Sequence, residues 1–125
     1  MIYRNIQRYK YMLTKSFSVD TVLDRHLTVE IPSATLRSSI LVLDEGFMWD
    51  GSSGPAWDTE NSMDASAVHD ALYRMFRAGL LPVSYKQIAD NLYKSLCIKG
   101  GMSKTRANYQ LFFLKLLGDS ASREG

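Results

Sequence analysis

His69 and Asp70 stand side by side in this chain, and Asp90 follows about one helical segment later. A histidine among carboxylates is a common means of moving a proton near neutral pH. Adjacent residues on a helix point about 100° apart, so His69 and Asp70 cannot ligate from one face but can serve neighbouring roles. Asp90 falls on a second helix, and two helices joined by a short turn pack antiparallel. An Asp there can meet the His69 ring, fix its tautomer and leave the other nitrogen as a base on water. Each residue also has a purely structural reading. Asp70 can pair with Arg74 four residues on, Asp90 with Lys86 or Lys94 on its own face, and His69 can be a half-buried helix residue with one nitrogen bonded.

Upstream of the pair lies WDGSSGP, residues 49 to 55. Asp50 offers a carboxylate, while Gly51 and Gly54 free the backbone so that carbonyls can converge. Such a set suits a hard cation such as calcium. The same loop could cradle an anion with its N–H groups, or simply connect strand to helix, where Gly and Pro supply geometry. It is not a P-loop, because no Gly-Lys-Ser/Thr follows. A Ser-His-Asp triad through Ser52 or Ser53 lacks the strand–elbow–helix context of a nucleophilic serine. A histidine-rich metal phosphohydrolase would need more histidines than the one other, His26.

The elements that must hold these residues are legible in outline. Residues 8–19, 26–32 and 39–49 read as strands. Leu27, Val29 and Ile31 alternate with Thr28 and Glu30, which is the period of a half-buried strand. The 39–49 segment reads as a hairpin turning at Asp44-Glu45-Gly46, and Pro32 closes the strand before it. Three helices follow. The first runs from about Asp64 to Arg77, with Val68, Leu72, Met75 and Phe76 on one face and Gly79 as its stop. The second starts at Ser84 with a Ser84-x-x-Gln87 capping box, buries Ile88, Leu92 and Leu96, and ends at Gly100-Gly101. The third begins at Ser103 and carries Ala107, Leu111, Phe112, Leu114 and Leu116 to Gly118, followed by a polar tail over 119–125. The expected fold is a small α+β domain over residues 1–118, with an N-terminal antiparallel sheet packed on three C-terminal helices.

Composition narrows the function classes. Hydrophobic residues are 46% and charged residues 22%, values of a chain that folds around a core. A net charge of +2 with scattered basic residues is no signal for nucleic acid. Arg4, Arg8, Lys10 and Lys15 are the one basic run that could touch phosphate or lipid head groups. The single cysteine, Cys97, excludes an intrachain disulfide and a Cys-rich zinc site, and fits folding in a reducing cytoplasm. It lies at helical spacing from Tyr93 and reads as a small core residue. MIYRNIQRYKYML has no apolar signal core, so no secretory signal is expected. YQLFFLKLLG, 109–118, is about half a membrane span and contains Lys115. Tyr3, Tyr9, Tyr11 and Phe17 could mark a partner surface but are more often core.

Taken together, the Trp-Asp-Gly-x-Ser-x-Pro loop, the Val-His-Asp-x-Leu-Tyr helix and the Ala-Asp of the next helix, Ala89-Asp90, are familiar. This pattern, over about residues 8–118, resembles a family of small tailed-phage and prophage proteins that carries no established activity. The resemblance implies a phage-encoded protein of host cytoplasm or virion, acting with a lipid or with a phage or host protein. A looser similarity is to phospholipase A2, in which a helix histidine activates water beside a calcium-binding aspartate. Carried over by residue, it implies His69 as general base, Asp70 as calcium ligand with loop carbonyls, Asp90 orienting His69, and Tyr73 supporting Asp90. The Tyr-Gly-x-Gly loop of those enzymes is absent, so WDGSSGP would substitute for it, and the strand-rich first half has no counterpart there. The resemblance therefore implies calcium-dependent hydrolysis of a lipid ester. The rival reading is a non-catalytic virion, assembly or host-interaction protein in which the same polar network is structural.

Overall fold

The computed structural model describes residues 3–5, 11–49 and 60–112. It has an α+β fold, strands first and helices after, and the chain divides into two compact units, 1–50 and 51–125.

The strand unit holds two antiparallel sheets where the sequence suggested one. In the first, β1 (Tyr3–Asn5), β2 (Tyr11–Leu13) and β7 (Met48–Trp49) lie in that order. In the second, the order is β3 (Phe17–Asp20), β6 (Ile40–Leu43), β5 (Ala34–Arg37) and β4 (Thr28–Ile31). The segment expected as a single strand over 8–19 is thus split into β2 and β3, which belong to different sheets. The hairpin expected at 39–49 does not form either. Its turn exists, with Phe47 N–H donating to Asp44 O and Gly46 at φ 95°. Beyond it the chain leaves β6, because Gly46 N–H donates to Leu13 O and Leu13 N–H to Phe47 O, which pulls β7 onto β2.

Register explains the core of the larger sheet. Val19, Leu41, Leu36 and Val29 stand in one cross-strand row, and Phe17, Leu43, Ala34 and Ile31 in the next. Leu36, Leu41 and Leu43 are fully enclosed, while Glu30, Arg37 and Ile40 point to the exposed face, as a period of two requires. In the smaller sheet Tyr11 pairs with Trp49, their rings 5.6 Å apart.

The sequence reading missed β5, which pairs with β4 through Pro32-Ser33. Pro32 at the first turn position and Ser33 at φ 65° have the form of a type II turn, which favours glycine at the second position. A serine there is held in the left-handed region at some steric cost. Ser33→Gly is expected to stabilise the protein by about 0.5 kcal/mol, the relief exceeding glycine's entropy in the unfolded chain. Urea denaturation checks this, and a loss of stability would show that the serine side chain matters.

In the helical unit, α1 (Glu60–Arg77) starts four residues before the expected Asp64, because Glu60, Asn61 and Ser62 bring no apolar periodicity. Val68, Leu72, Met75 and Phe76 are buried as expected, but so are Met63, Ala65, Ala67 and Ala71, which leaves only a narrow polar stripe. A 3₁₀ turn (Val83–Tyr85) leads into α2 (Lys86–Lys99). The capping box at Ser84 is absent: Ser84 lies inside the 3₁₀ turn, whose cap is Pro82, and no side chain caps either element. A third helix, α3, starts at 104 and is described through 112. Ser103 caps it, its Oγ accepting from Arg106 N–H at 3.2 Å. Leu114, Leu116 and the polar tail lie outside the described residues.

Candidate active site

α1 packs against α2, and a buried polar group lies within the contact. His69 Nε2 lies 2.7 Å from Asp90 Oδ1, and the Tyr73 hydroxyl donates to that same oxygen at 2.8 Å. The geometry follows from helical spacing. His69 and Tyr73 are four residues apart on α1, so their side chains stack one above the other, ring centroids 4.2 Å apart. Both reach the one carboxylate that α2 presents. His69 is 6% exposed and Asp90 4%, so each polar atom depends on the others for its hydrogen bonds.

A carboxylate can only accept, so Nε2 carries the proton and Nδ1 keeps the lone pair in the neutral ring. Among the described residues Nδ1 has no hydrogen-bond partner. Tyr93 closes the other side of the imidazole edge-on, with centroids 5.6 Å apart, and its hydroxyl donates to Gln110 Oε1 of α3 at 2.9 Å. Phe76 stands edge-on to Tyr73, and Lys86 Nζ lies 5.9 Å from the Tyr73 ring centre. The imidazole is therefore held by one ion-pair geometry and two aromatic rings.

Asp70 lies one residue round the helix, 2.6 Å from Arg74 Nη2. Partial burial of its carboxyl pushes the pKa above the ordinary 3.8, against the pull of Arg74, Arg77 and His69. The folded chain therefore keeps this proton at pH values where the unfolded chain has lost it. Stability falls as pH rises from about 4 and levels off once the folded group has also ionised. Asp70→Asn abolishes that slope. Denaturation from about pH 3 to about pH 7 should show the variant gaining on the wild type over that window. A difference that does not change with pH would mean Asp70 is solvated as in the open chain.

Of the sequence-predicted residues, the structure brings His69, Tyr73 and Asp90 together and sets Asp70 beside them on the outer stripe of α1 with Arg74. Asp90 is buried and bonded to α1 instead of lying on an exposed face with Lys86 and Lys94. Asp50, Gly51 and Gly54 lie outside the described residues. Among the described residues no group of three or more His, Cys, Asp or Glu side chains could hold a metal ion. The stripe expected to be buried on α2, Ile88, Leu92 and Leu96, is only half-buried. Its enclosed face is Ala89, Asp90, Tyr93 and Cys97, because a hydrogen-bonded Asp90 can take a core position. Tyr93 and Gln110 are the residues missed. The signal for Tyr93 was its i+3 spacing from Asp90 and i−4 spacing from Cys97. Gln110 had none, being a polar residue in an apolar run. Burial pushes the Cys97 thiol up to about 11, so it stays protonated and unreactive near neutrality.

An open concavity of about 500 Å³ belongs to the strand unit, on the exposed face of the larger sheet between Glu30, Arg37, Ile40 and Asp44. Among the described residues no helix is long and apolar enough to cross a membrane. No family model matches the chain, and neither a curated protein nor a solved structure matches it.

Proposed function

We propose that the helical unit is a small hydrolase of lipid esters, with His69 as general base and Asp90 and Tyr73 as the groups that hold it. The observation that carries this is the 2.7 Å bond from His69 Nε2 to Asp90, with Tyr73 on the same oxygen, which leaves Nδ1 as the free basic atom among the described residues. Nδ1 takes a proton from water as the water oxygen attacks the ester carbonyl carbon. The buried carboxylate stabilises the imidazolium that forms. Collapse of the tetrahedral adduct breaks the carbon–oxygen bond to the alcohol, and Nδ1–H returns the proton to that leaving oxygen.

Calcium belongs to the same proposal. Asp70 would hold it with the backbone oxygens of Gly51 and Gly54, the ion displacing Arg74 from the carboxylate. Bound there, the ion would polarise the ester carbonyl. The protein so described would be a phage or prophage product acting in the host cytoplasm or the virion.

A second reading is favoured by the near-complete enclosure of His69 and Asp90. In it the network is a strut, and the chain is a virion, assembly or host-interaction protein. Fatty-acid release from phosphatidylglycerol vesicles, followed with calcium and with a chelator, separates the two. The hydrolase reading expects release that calcium increases, and a melting temperature that calcium raises through native-state binding. Absence of release under both conditions, with an unmoved melt, leaves the strut.

A further inference from the structure

The turn between α1 and α2 carries a second, independent feature. Residues 78–83 read Ala-Gly-Leu-Leu-Pro-Val, with no polar side chain. Only Leu81 is buried; the other five are exposed, Leu80 by 50% and Val83 by 62%.

This tip is rigidly built. α1 ends in a Schellman motif: Gly79, at φ 72°, donates its N–H to Phe76 O, and Leu80 donates its N–H to Met75 O. α2 ends in the same motif, with Gly101 at φ 104° bonded to Ile98 O and Met102 to Cys97 O. The residue after the glycine ordinarily folds back onto its helix. Met102 does so and is buried beside Cys97, whereas Leu80 at the equivalent place faces solvent. The backbone thus holds an apolar side chain outward where the same device elsewhere in the chain turns one inward.

The side chains that flank the tip in the chain are basic. Arg77 ends α1 and Lys86 opens α2, while Arg74, in the same last turn, is paired with Asp70. No acidic residue occurs between Asp70 and Asp90. We infer that the α1–α2 tip docks on an anionic lipid surface, Leu80, Pro82 and Val83 entering the head-group layer while Arg77 and Lys86 meet phosphates. An apolar tip with Arg77 and Lys86 at its base matches an interface that is apolar within and negative at its rim.

This docking does not require His69 chemistry, and the test keeps the two apart. Wild-type protein is sedimented with vesicles of equal parts phosphatidylcholine and phosphatidylglycerol, and with phosphatidylcholine alone. It should partition onto the mixed vesicles and at least about fivefold less onto the neutral ones. Leu80→Ser with Val83→Ser, and separately Arg77→Glu, should each weaken binding about tenfold with an unchanged far-UV spectrum. His69→Gln should bind as wild type. Wild type left in the supernatant, or variants that sediment equally well, would overturn the inference. So would a dimer in light scattering that the Leu80/Val83 variant dissolves, since the tip would then be covered by a second copy.

Discussion

Asp90→Ala is expected to destabilise the helical unit by about 2–6 kcal/mol, about 1–3 kcal/mol for each of two buried donors left without an acceptor. The truncation leaves both His69 Nε2 and the Tyr73 hydroxyl without an acceptor in a place water scarcely reaches, and each orphaned group adds its own desolvation penalty. Asp90→Asn should lose much less, about 1 kcal/mol, because the amide oxygen can still accept from both donors. Urea denaturation of the three proteins measures the contrast. Two variants equally close to wild type would mean that α1 and α2 are held by their apolar neighbours and the network adds little.

The second large effect concerns catalysis. His69→Gln places an amide donor near the position of Nε2, so the bond to Asp90 can persist while the basic atom at Nδ1 is lost. Ester hydrolysis should fall by about 10²–10⁴-fold, the typical contribution of a general base, with stability changed by less than about 2 kcal/mol. Asp90→Asn should also lose most of its activity although it folds, since a neutral amide cannot support the imidazolium. Activity that survives either substitution in a folded protein would remove His69 from the reaction. Folded protein without measurable wild-type activity would return the network to a structural role.

Much of the helical half was legible because its signals are local. Gly79 and Gly100-Gly101 mark stops that the backbone uses, and Ser103 caps the helix it precedes. The proximity of His69, Tyr73 and Asp90 follows from two short-range facts, an i,i+4 pair on one helix and a tight turn to the next. What failed was non-local. Residues 39–49 have the alternation and turn of a hairpin, but β6 and β7 find partners in different sheets, and nothing within eleven residues encodes that choice. β5 was missed because Ala34–Arg37 carries only two apolar side chains and its turn uses serine where glycine is the usual sign. The enclosed face of α2 lies about one residue on from its aliphatic stripe, so the aliphatic side chains do not mark the interior. An aspartate marks it instead, a choice visible only once its two donors on α1 are known.

That Tyr73 and His69 converge on one oxygen sets the alignment of the two helices. A slide of α2 along α1 by one turn, about 5.4 Å, or a rotation by one residue, would carry Oδ1 out of reach of both donors at once. Apolar side chains tolerate such shifts by repacking, and the alanines along α1 present a smooth surface with few landmarks of their own. The shared acceptor therefore works as an alignment pin, admitting one axial offset and one rotation. Among the many near-equivalent ways two greasy helices can lie together, it selects a single pairing.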